Sequence, residues 1–143
     1  MRLLQVVPTY LPAVRHGGPI RAVHGLAKAL AARGHEVVAA TTHLDGDGEL
    51  DVPLHRAVDL DGVGVRYFPV GRLRRLAYSP AMRDWLNAET RTFDVVHLHS
   101  IFLWPTLAGA NAARRAARPW LVSPRGMLVP ELFRRRGWLR KRL

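Results

Sequence analysis

Five short apolar runs recur along this chain of 143 residues, and stretches with helical spacing fill most of the gaps between them. That alternation restricts the fold more than any other feature. Leu3–Val7 is a continuous apolar run of the kind found in strands buried on both faces. Glu36–Thr42, centred on Val37-Val38-Ala39-Ala40, is the second predicted strand. Val63–Val70, Asp94–His99 and Pro119–Val122 are the third, fourth and fifth. Pro19 suits the first turn of a helix in which Ile20, Val23, Ala27, Leu30 and Ala31 recur at helical spacing, and Gly34 stands where a C-cap glycine belongs. Ser79-Pro80 reads as an N-cap followed by a first-turn proline, opening a helix to about Arg91. Leu103–Ala117 is an alanine-rich helix, a last helix is predicted from about Val129, and the polar, glycine-rich stretch His43–Asp61 reads as a long surface loop. Strands alternating with helices imply βαβ crossovers, hence an α/β, Rossmann-like parallel sheet with helices on both faces. Ligands of such sheets bind beyond the C-terminal strand ends. That rule selects three loops: Pro8–Pro19, His99–Pro105 and Ser123–Pro130.

Composition removes several function classes. Hydrophobic residues make up 48% and charged residues 23%, the balance of a globular domain with a true core. There is no cysteine, which excludes a disulfide framework and a thiolate metal site. The first apolar run is too short for a signal-peptide core, and no stretch approaches the ~18–20 apolar residues of a membrane-spanning helix. The net charge of +11 is placed unevenly. Residues 1–110 hold 12 basic and 10 acidic groups, whereas residues 111–143 hold 10 basic groups and one acid, Glu131. A local basic surface near the C-terminal end is therefore expected, rather than attraction of the whole molecule to nucleic acid.

Three segments can carry chemistry. In Arg15-His16-Gly17-Gly18-Pro19-Ile20-Arg21, paired glycines precede a helix whose free N–H groups face the loop. This is either a phosphate cradle or a plain strand-to-helix turn. It is neither a dinucleotide fingerprint nor a P-loop, because G-x-G-x-x-G and Gly-Lys-Ser/Thr are both missing. In Asp94-Val95-Val96-His97-Leu98-His99-Ser100, His97 and His99 share one side of the strand. His99 stands at the crevice edge as a general base or acceptor contact. His97, one pleat deeper, reads as an acceptor contact or as a buried histidine bonded to backbone. In Ser123-Pro124-Arg125-Gly126-Met127, Arg125 can fork onto a carboxylate, a phosphate or sugar hydroxyls, or be a surface arginine in a turn. Asp45-Gly46-Asp47 has a metal-binding spacing but lies in the expected surface loop, not behind a strand, so no metal site is assigned. The end, Arg134-Arg135-Arg136-Gly137-Trp138-Leu139-Arg140-Lys141-Arg142, fits an anionic membrane surface or the solvated face of a helix.

Met1–Tyr10, His16-Gly17-Gly18-Pro19, Gly25–Val37, Asp94–His99 and Ser123–Leu128, in that order, resemble the N-terminal domain of family 4 glycosyltransferases. The resemblance implies the GT-B architecture, of which this chain is the acceptor-side half. It implies retaining sugar transfer from a nucleotide-sugar donor to a glycan or lipid-linked acceptor, in bacterial polysaccharide or glycolipid synthesis. No cofactor is implied, the nucleotide-sugar being a co-substrate. Gly17 and Gly18 would approach the donor diphosphate, His99 would be the catalytic residue, and His16, Arg21, His97 and Arg125 would contact the acceptor. The expected location is cytoplasmic, with peripheral contact at the inner face of the plasma membrane and no nucleic-acid partner. The donor-binding half of the family has no counterpart here and the N-domain itself stops short, so residues 1–143 are expected to be an inactive part of a longer enzyme. The competing reading is a non-catalytic Rossmann-like module that binds a partner or an anionic membrane through its basic end. A nicotinamide-dependent oxidoreductase is disfavoured, because Thr41-Thr42-His43 stands where an acidic residue should close strand two.

Overall fold

The computed structural model describes residues 1–15, 17–54 and 56–130. The expected last helix beyond Pro130, the arginine-rich end and His16 lie outside the described residues. Strand β1 (Arg2–Val7) is buried from Leu3 to Val7 and pairs in parallel with β2 (Glu36–Thr42) on one side and β7 (Val95–His99) on the other. Between β1 and β2 runs α1 (Gly17–Ala32). Two short strands, β3 (Leu44–Asp45) and β4 (Gly48–Glu49), form a separate antiparallel hairpin. Then follow β5 (Val58–Leu60), β6 (Val63–Phe68) and α2 (Pro80–Glu89). After β7 come α3 (Trp104–Arg115) and β8 (Trp120–Ser123). The main sheet has the order β5-β6-β2-β1-β7-β8.

The pleat explains the layering. Alternate residues of β1 point to opposite faces. Leu4 and Val6 join a core with Met82 and Leu86 of α2, Val96 and Leu98 of β7, and Ala112 and Ala113 of α3. Leu3 and Val7 join a second core with Val23 and Ala27 of α1 and with Val37 and Val65. Helices thus cover both faces, as the alternating pattern predicts. Local signals agree: the Ser79 hydroxyl accepts the Met82 N–H at 3.2 Å, and Pro80 takes the first helical turn. Gly109 of α3 lets the helix lie directly on the sheet, since a Cβ there would stand 2.5 Å from Leu98 Cδ2 and 3.2 Å from Val6 Cγ2.

Two expectations are corrected. The sheet is mixed, because β5 runs antiparallel to β6 at the edge. The stretch 43–61 is also not one loop, as it holds the β3–β4 hairpin and β5. Asp61-Gly62, with φ of 55° and 84°, is a two-residue hairpin turn with both torsions positive. That turn matches the right-handed twist of its flanking strands and forces the antiparallel pairing of Leu60 with Val63. Among the described residues, no helix is long and apolar enough to cross a membrane.

Candidate active site

The chain leaves β1 for β2 and β6 on one side and returns to β7 and β8 on the other, so the C-terminal end of β1 is the topological switch point. A cleft of about 1070 Å³ opens there. Val7, Pro8 and Thr9 form its floor, and Pro19, Ile20 and Val23 of α1 form one wall. Arg75 and Leu76 from the turn after β6, His99, Ser100, Phe102 and Leu103 at the end of β7, and Arg125 and Met127 after β8 complete it.

The N-terminus of α1 stands at this cleft. Gly17 and Gly18 open the helix, and neither has a left-handed backbone. A Cβ built on either meets nothing within 4 Å among the described residues. No backbone torsion at these two positions, and no packing among the described residues, requires glycine here. The pair leaves open space above free helix N–H groups, which is what the approach of an anion needs. Arg21 is exposed further along α1 and does not line the cleft.

His99 and Arg125 are 26 positions apart in sequence, and the parallel pairing of His99 with Ser123 brings them together. Arg125 has a left-handed backbone (φ 53°) in the turn before Gly126. Its Nε and Nη2 donate to His99 Nδ1 at 3.3 and 3.2 Å. A guanidinium only donates, so Nδ1 is unprotonated and a neutral His99 carries its hydrogen on Nε2. His99 is 1% exposed. Burial, then the neighbouring His97, then Arg125 hold its pKa down at about 3. The available nitrogen is therefore an N–H donor, and Nε2 has no hydrogen-bond partner among the described residues.

His97 lies one pleat below, its ring 4.0 Å from that of His99. Its Nε2 is 2.7 Å from the Ser123 hydroxyl, so a side chain rather than backbone holds it. Burial and Arg125 lower its pKa also. His97 supports His99 from beneath and does not itself line the cleft. Opposite it on β1, Gln5 is buried with both amide atoms unpaired among the described residues.

Asp45 and Asp47 are drawn into other work. The Asp45 carboxylate accepts the Arg15 N–H at 3.2 Å, and Arg74 grips the carbonyl of Asp47 and the carboxylate of Glu49. Among the described residues, no three His, Cys, Asp or Glu side chains are grouped to hold a metal. Sequence reasoning missed Arg75 and Leu76. The crevice rule, applied to the end of the third predicted strand as well as to the other three, would have found them.

No curated protein matches the chain. Among known domain families, the glycosyl transferase 4-like domain matches residues 17–143, which takes in α1, the glycine pair, the His99–Arg125 contact and the cleft's strands other than β1. The chain belongs to the glycosyl transferase 4-like family.

Proposed function

We propose that this chain is the acceptor-side half of a retaining, nucleotide-sugar-dependent glycosyltransferase. The observation that carries this is one switch-point cleft that holds a neutral His99 locked by Arg125 and is walled by Pro19 and Ile20, the residues that directly follow the open glycine pair at the N-terminus of α1. In this reading Gly17, Gly18 and the first N–H groups of α1 face the donor diphosphate. The bond from the sugar's anomeric carbon to the diphosphate oxygen breaks, and a bond to an acceptor hydroxyl forms. His99 is neutral at physiological pH with its hydrogen on Nε2, a buried atom without a partner among the described residues, so in this reading it donates a hydrogen bond to a sugar hydroxyl and does not take the acceptor's proton. No described residue lining the cleft is acidic. The departing diphosphate oxygen then receives that proton, which suits transfer with retention. Arg125 acts by fixing the tautomer of His99, and the acceptor rests on the remaining wall.

The test is transfer from a panel of nucleotide sugars to acceptors in a membrane extract. Two proteins are compared: the 143-residue chain, and the product of any open frame continuing past codon 143. The expected result is no turnover by the 143-residue chain and turnover by a longer product, with the anomeric configuration kept. His99→Ala should lower the longer product's rate at least 100-fold. Turnover by the 143-residue chain would refute the division of labour. A longer enzyme indifferent to both His99→Ala and Gly18→Val would refute the site.

A further inference from the structure

Two arginines line the cleft without acidic partners among the described residues. Arg125 spends Nε and Nη2 on His99, and no carboxylate pairs with it among the described residues. Arg75 is exposed and forms no ion pair among the described residues, whereas its neighbour Arg74 is bound to Glu49 at 2.6 Å. Strands β6 and β8, which lead into these two residues, each lie two places from β1, on opposite sides. The two arginines therefore line the cleft from opposite sides of the switch point. The wall between them is largely apolar, with Ile20, Leu76, Leu103 and Met127. Unneutralised cations over apolar walls attract an anion more strongly than the same charges on an open surface.

From these charges we infer that the acceptor is itself anionic: a sugar bearing a carboxylate or phosphate, whose oxyanion lies between Arg75 and Arg125. This rests on the reading above, in which the donor's diphosphate has its own place at Gly17 and Gly18, and it adds the class of acceptor. Arg75 is then a specificity-determining residue, and Arg125 both orients His99 and binds the acceptor.

The experiment titrates the 143-residue chain with glucose, glucuronate and glucose 6-phosphate at low salt, following backbone amide shifts by NMR. Both anionic sugars should bind at least 10-fold more tightly than glucose and shift the amides of Thr9, Ser100 and Leu103. Arg75→Gln, an exposed change that leaves the core untouched, should weaken them about 5-fold or more and leave glucose unaffected. Arg125→Lys should keep part of the preference, Arg125→Gln should lose it, and Arg114→Gln at the far end of α3 should change nothing. Equal binding of all three sugars, or an anion preference that survives Arg75→Gln and Arg125→Gln, would overturn the inference. So would competition by a nucleoside diphosphate with the same dependence on Arg75, because the anion would then be the donor's. Transfer in the longer enzyme separates this from the parent reading. If His99→Ala abolishes transfer while the unsubstituted longer enzyme serves neutral and acidic acceptors equally and Arg75→Gln changes neither, the acidic acceptor falls and the site stands.

Discussion

Lowering the pH from 8 to 5 should destabilise this fold through His99 by an amount that its environment sets. In the folded chain His99 resists protonation down to about pH 3, because burial, His97 and Arg125 all disfavour the charged ring. In the unfolded chain it titrates near its ordinary value of 6.5. Its folded pKa is therefore the lower one, and the unfolded state binds the extra proton as pH falls. Stability is intact above about pH 6.5 and drains away below it, until the folded ring also protonates near pH 3. The cost accrues at about 1.4 kcal/mol per pH unit, so at pH 5 it reaches about 2 kcal/mol. That figure depends little on the exact folded pKa, since pH 5 lies well above it. The assay is urea unfolding of the chain and of His99→Gln at both pH values. His97 is shifted in the same direction and remains in both proteins, so its effect largely cancels in the difference. The unsubstituted chain should lose about 2 kcal/mol more than the variant on going to pH 5. Equal losses would show that His99 is not held neutral by the fold, and the donor role assigned to it would fall with that.

Gly109→Ala should destabilise by about 1–2 kcal/mol, because overpacking against Leu98 and Val6 outweighs the better helix propensity of alanine. Adding Leu98→Val should recover part of the loss in the same urea titration, and strict additivity would show that no steric conflict exists. Tyr10→Phe should cost about 1–2 kcal/mol, since the buried Tyr10 hydroxyl lies 2.8 Å from His24 Nδ1, whose other nitrogen meets Asp61 at 2.9 Å. Thermal unfolding checks it, and an unchanged Tm would show that this chain of contacts is dispensable.

What was legible in the sequence follows from how far each signal reaches. The runs Leu3–Val7 and Val95–His99 are buried or half-buried throughout, so they are apolar apart from Gln5 in one and His97 and His99 in the other, and need no partner to be seen. Ser79-Pro80 is a local cap, readable from two residues. Strand β5 has three residues, Val58-Asp59-Leu60, too few to show alternation. Its turn, Asp61-Gly62, was a readable hairpin signal hidden in a polar stretch. Arg75 lies in a 3-10 turn with no periodicity, beside an arginine of the same type that serves the β3–β4 hairpin. The contact between Arg125 and His99 was illegible, because only the pairing of β7 with β8 joins two positions so far apart.

The backbone around the cleft says where this site could be moved. Ala77, Ser100, Phe102 and Arg125 all hold left-handed torsions without being glycine, and all lie in or beside the loops that wall the cleft. Left to itself, each would relax to another conformation, a preference worth about 1–2 kcal/mol per residue. The sheet ends and the anchors between loops, such as Thr106 Oγ1 on the Ser100 carbonyl and the Ile101 N–H on Met127 Sδ, hold them against it. The cleft is therefore not portable. Transplanted onto another scaffold as loops alone, these segments would spring open, whereas the same sheet could carry different loop residues and keep a site at the same place.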